Sequence, residues 1–130
     1  MFLKKTPPHS PEAERTVLGG ILVSNQNLNV VLSLIAPEDF YKEAHLKILE
    51  RMIALVDRDL PIDLISLSEE CQRAGILEEV GGASYLASLT DGVPRSLNIE
   101  YYAKIIKEKA LLRRLILSSA RIISESYDQR

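Results

Sequence analysis

Paired carboxylates, histidines and a single thiol are the residues here whose types could carry chemistry. The acid pairs are Glu38/Asp39, Glu69/Glu70 and Glu78/Glu79. Two carboxylates that share a proton must face each other, but neighbours on a helix point about 100° apart. These pairs therefore predict solvated surface rather than an acid/base dyad. His45 falls on the apolar stripe of its segment with no partner constellation in sequence, which predicts a hydrogen-bonded packing role. Cys71 has no second cysteine to pair with and, with His9 and His45, gives no zinc-ligand spacing. It reads as a small buried apolar residue. No G-x-x-x-x-G-K-[ST], G-x-G-x-x-G, nucleophile elbow or H-E-x-x-H is present. These residues thus hold no catalytic, cofactor or metal site that sequence can recognise.

What remains is binding chemistry. Lys107, Arg114 and Arg121 recur every seven residues and form a basic line along one helix; such a line is most often solvated surface, and partner binding is the alternative because it borders apolar strips. Tyr85, Tyr101 and Tyr102 read as core or groove residues rather than base-stacking platforms. The chain has 130 residues, a net charge of −2 and a pI near 5.7, which argues against duplex DNA as the main partner, although a local basic stripe remains possible. The start, MFLKKTPPHS, lacks a signal peptide's apolar stretch and no run has the length of a membrane span, so the expected location is cytoplasmic.

The elements that must position these groups are helical. Aromatic residues make up only 5%, Trp is absent and no period-2 segment exceeds four residues. Residues 1–9, with Lys4, Lys5 and Pro7-Pro8, read as a flexible arm. Ser10-Pro11-Glu12 starts a first helix, whose Gly19-Gly20 predicts close approach of another helix. Asn25 opens a shorter helix, and 37–40 makes about one turn. His45, Ile48, Leu49, Met52, Leu55 and Val56 form a helical stripe over about 42–57. Ser66 and Glu69 fit a capping box for a helix that Gly75 stops. A further short helix follows Gly81-Gly82, and residues 67–89 could be drawn as a helix-turn-helix. Its second helix, ASYLASLT, carries no basic residue to read DNA, so the pair is structural.

Asn98 caps the longest helix, about 99–127. Tyr101, Ile105, Leu112, Leu115, Ile116, Ile122 and Ile123 lie on one broad face, and Tyr102, Ile106 and Leu117 form a second strip. Two apolar strips exceed what one small core covers, so this helix projects toward a partner. The expected fold is all-α: a compact globule of about five short helices, then one long helix.

Five pieces of the chain, in this order and spacing, resemble the N-terminal domain of the DnaB-type replicative DNA helicase. They are PPHSPEAERTVLGGIL (7–22), PEDFYKEAHLKIL (37–49), PIDLISLSEEC (61–71), GILEEVGGASYL (75–86) and YYAKIIKEKALLRRLI (101–116). The resemblance implies a helical head at 10–95 and the first arm of a helical hairpin at 96–130, with the return arm and the ATPase motor absent. It further implies pairing through the hairpins and a trimer-of-dimers collar on a hexameric ring. Docking of the primase C-terminal domain and of a helicase loader on that collar is implied as well. ATP, magnesium and DNA would be handled by the parent's motor, with little or no DNA binding here, and the protein would work at the bacterial replication fork. By matching position, Tyr85, Ile116 and Ile122, with the line Lys107, Arg114 and Arg121, make the implied primase or partner surface. Tyr101, Ile105, Leu112, Leu115 and Ile123 make the implied dimer or hairpin face. A DNA-binding regulator and a small carboxylate enzyme are the competing classes; steeply salt-dependent duplex binding would favour the first, a strongly raised Glu pKa in a cleft the second.

Overall fold

Three of the helices start where a short polar side chain, Ser10, Asp63 or Asn98, accepts from a free N–H group of the first turn. The computed structural model describes residues 5–129, so residues 1–4 of the expected arm lie outside it. Ser10 accepts from Ala13 N at 3.2 Å and Pro11 occupies the first turn of α1, Pro11–Val23. The helix α2, Asn27–Leu34, begins two residues later than expected. Asn25 is spent elsewhere: its amide donates to the Ile21 and Ile62 carbonyls, and its oxygen accepts from Ile62 N. One side chain thereby ties the end of α1 to a connector 37 residues away. A single 3₁₀ turn, Pro37–Asp39, leads to α3, Glu43–Asp57.

The helix α4, Leu64–Arg73, starts a turn earlier than the Ser66/Glu69 box predicts. Asp63 is the cap: its carboxylate accepts from Ser66 N, and Ser66 Oγ in return accepts from Asp63 N. Ser66 is the reciprocal member of that box rather than its head. Gly75, at φ +74, ends the helix with Gly75 N on Gln72 O and Ile76 N on Cys71 O. The short α5, Gly82–Ser88, and then α6, Ile99–Tyr127, capped by Asn98, complete the order. Among the described residues the fold is six α-helices and one 3₁₀ turn with no strand, the all-α architecture expected.

The core gathers Val17, Leu18 and Ile21 of α1, Val31 of α2, Ile48, Leu49 and Met52 of α3, and Leu67, Cys71 and Leu86. The helix α1 lies at its centre, touching α2, α3 and α6, while α4 packs on α3 and α5. Its Gly19-Gly20 step is where others come closest. A Cβ on Gly19 would sit 2.0 Å from the Leu89 carbonyl oxygen at the end of α5. One on Gly20 would meet Leu97 and Ile99 at the start of α6. The predicted close approach is present at both.

Candidate partner-binding surface

The side of α6 that meets the head is the narrow strip rather than the broad face. Ile99, Ala103, Ile106 and Ala110 are the buried residues of α6. Two of the four are alanines, whose small side chains let the backbone lie close on α1 and α2. At 100° per residue, Tyr101, Leu112, Leu115, Ile122 and Ile123 fall on the opposite side of the helix. All five are exposed, Leu115 by 63% and Ile122 by 59%. Ile105 and Ile116 are intermediate, and Ile105 packs against the core edge. Leu117 shares the head-facing side yet is 69% exposed, so α6 has run past the head by that point.

A clasp marks where α6 leaves. Asp39 is 1% exposed and its carboxylate receives Arg114 and, at 3.4 Å, Lys107 Nζ. Arg113, from the other flank of the buried strip, donates to the Asp39 carbonyl at 2.7 Å and to the Pro8 carbonyl at 2.8 Å. Its guanidinium also lies over the Tyr41 ring, on which His9 stacks. Pro7–His9 of the expected arm are thus strapped to α6. Two members of the basic line, Lys107 and Arg114, face inward onto Asp39; Arg121 is exposed further along.

The solvated reading of the acid pairs holds for Glu38, Glu69, Glu78 and Glu79, and is corrected for Asp39 and Glu70. The 100° between neighbours sends one member of a pair inward when the other faces out. Glu70, 3% exposed, binds Arg51, Arg58 and Arg73 at 2.6–3.0 Å. Burial pushes its carboxyl up, but hydrogen bonds from Arg73 and Arg51 outweigh that and hold it below the ordinary value. Cys71 is buried, its thiol pushed up to about 11, chiefly by desolvation.

Tyr85 sits apart from α6, on α5. It is half-buried, and its hydroxyl meets His45 Nε2. His45 Nδ1 donates to Glu14 Oε1 at 2.7 Å, because a carboxylate can only accept. Glu14 also accepts from Tyr41 N and Lys42 N, capping the start of α3 from a distance. Burial raises the Tyr85 phenol, with Arg15 over its ring opposing. The packing role expected for His45 is what the fold uses. Sequence reading missed Glu14; its one signal was that residues 14, 17, 18 and 21 share one helical face, which marks burial but not the partner.

Among the described residues no group of three His, Cys, Asp or Glu could hold a metal, and no helix is long and apolar enough to cross a membrane. Residues 6–108 match the model of the DnaB-like helicase N-terminal domain. The chain belongs to that family.

Its relatives agree over nearly the whole chain. It is 42% identical to the replicative DNA helicase DnaB of Geobacillus stearothermophilus, over 98% of the chain and 28% of the relative. It is 43% identical to the replicative DNA helicase DnaC of Bacillus subtilis (strain 168), over 95% and 27%. The chain thus spans about a quarter of the length of these relatives. The crystal structure of the N-terminal domain of DnaB helicase from Mycobacterium tuberculosis superposes with a TM-score of 0.90 at 40% identity, over 94% of this chain and 85% of that one. The N-terminal domain of DnaB helicase from Helicobacter pylori, described with its interactions with primase, superposes with a TM-score of 0.72 at 24% identity, over 88% and 89%; that likeness is one of fold.

Proposed function

We propose that the chain works as the collar of a replicative DNA helicase, pairing with a second copy through α6 and presenting a docking surface to primase. The observation that carries this reading is the outward apolar face of α6. A soluble helix does not hold Tyr101, Leu112, Leu115, Ile122 and Ile123 in water unless something covers them. In this reading residues 10–95 are the head and 96–130 the first arm of a hairpin. Tyr101, Ile105, Leu112, Leu115 and Ile123 meet the return arm and the paired subunit, and three such pairs build the ring's collar. A helicase loader is the further partner.

Tyr85, Ile116 and Ile122 supply the primase contact, with Arg121 as the exposed member of the basic line. Tyrosine and arginine are residue types that interface hot spots favour. The activity of the whole protein, duplex unwinding driven by ATP and magnesium in the cytoplasm, resides in a motor region. This chain lacks the phosphate-binding glycine motif and carries no step of that reaction.

Ile122 gives the clean test, since it is 59% exposed and supports no buried neighbour network. Ile122→Ala is expected to weaken binding of the primase C-terminal domain by at least about tenfold, or ~1.4 kcal/mol. Titration calorimetry reads the affinity, and an unchanged melting temperature excludes unfolding. Equal affinity of variant and parent rules out this part of α6 as the primase contact.

A further inference from the structure

We propose that Glu14 and His45 are positioning residues for Tyr85, fixing the half-exposed ring and the direction of the hydroxyl that it offers a partner. The inference rests on the reading that a protein partner, primase above, covers Tyr85.

Tyr85 is held on three sides. Gly81, at φ +110, lies beneath it so closely that a Cβ there would stand 2.7 Å from Tyr85 Cβ. The Arg15 guanidinium is 5.6 Å from the ring centroid. His45, 1% exposed, reaches the hydroxyl through Nε2. Behind His45 stands Glu14, 2% exposed, which binds Nδ1 and two backbone N–H groups of the segment entering α3. The three side chains come from α1, α3 and α5, so the tyrosine's place is set by the packed head rather than by its own short helix. A large aromatic that loses little freedom on docking is what a tight contact needs.

The proton count follows from the same geometry. With His45 neutral, Nδ1–H is committed to Glu14 and Nε2 must accept, so the Tyr85 O–H points inward. The outer side of the hydroxyl then offers only lone pairs. The charged groups that face Tyr85 are Glu14 and Arg15, both of α1. The 3₁₀ turn's Asp39 is occupied by Lys107 and Arg114, and α4's Glu70 by its three arginines.

The test titrates the primase C-terminal domain into this chain by calorimetry at neutral pH. His45→Ala is expected to weaken binding by at least about threefold. His45→Gln places an amide where Nε2 stood, and it is expected to restore most of the affinity that His45→Ala loses. Melting curves separate loss of fold from loss of contact. If Tyr85→Ala binds as the parent does, the docking reading itself fails. If Tyr85→Ala weakens binding while His45→Ala binds as the parent does, the positioning role alone is overturned. A His45→Ala loss that tracks melting, without rescue by Gln, also overturns it.

Discussion

Three carboxylates in this small head are buried, and each is held by a different kind of donor. Glu14 takes backbone N–H groups and an imidazole, Asp39 takes Lys107 and Arg114, and Glu70 takes three guanidiniums. A buried carboxylate that loses its charge leaves its donors facing a poorer acceptor. For Glu70 those donors are partly open to water, which softens the loss. Glu70→Gln is therefore expected to cost about 1–3 kcal/mol at pH 7. The folded carboxyl titrates below the ordinary value of 4.5, so its contribution is complete above that value and fades as pH falls through the lowered one. Urea titrations at pH 7 and pH 3 check both halves: the gap between parent and variant should narrow in acid. A constant gap would assign Glu70 a packing role alone. Sequence offered a signal for this residue, because Glu70 lies three positions from Leu67 on one helical face. The three arginines, at 51, 58 and 73, could be gathered only by the fold.

At the scale of elements, the Gly19-Gly20 step decides how α1 meets its neighbours, and its two glycines are not equivalent. An added methyl at Gly19 overlaps a backbone carbonyl, which cannot step aside without moving the end of α5. An added methyl at Gly20 meets Leu97 Cδ2 at 2.8 Å and Ile99 Cδ1 at 2.9 Å, the far ends of side chains that can rotate. Alanine gains about 1 kcal/mol of helix propensity at either site. Gly19→Ala is expected to lose roughly 2 kcal/mol net, since overpacking against backbone costs about 3 kcal/mol. Gly20→Ala should stay within about 1 kcal/mol of the parent. Thermal melts of the two variants distinguish them, and equal melting temperatures would contradict the tight contact at Leu89. The helices themselves were legible wherever caps and periodicity agreed, as at Ser10-Pro11, Gly75 and Asn98–Tyr127. The boundaries that slipped did so for a local reason. Asn25 and Ser66 are good cap residues, but tertiary and reciprocal bonds had already claimed their side chains.

For the whole molecule, the question is what covers the side of α6 turned from the head. Sequence showed two apolar strips, but periodicity gives no sign of which one faces inward. The choice follows from side-chain size: Ala103 and Ala110 allow close approach to α1 and α2, which bulkier Tyr101 and Leu112 would prevent. The outward face is therefore left for another surface, and in the proposed collar that surface includes a second copy. Such a pairing makes the chain's oligomeric state depend on concentration. Sedimentation velocity over a hundredfold dilution series is expected to show a dimer dissociating to monomer. Replacing Leu112 and Leu115 by glutamate should hold the chain monomeric throughout, since both charges would have to be buried to pair. The head should keep its melting temperature, because neither residue belongs to its core. A double variant that still dimerises would move the pairing surface off this face of α6. One that melts early would show that the face already supports the head.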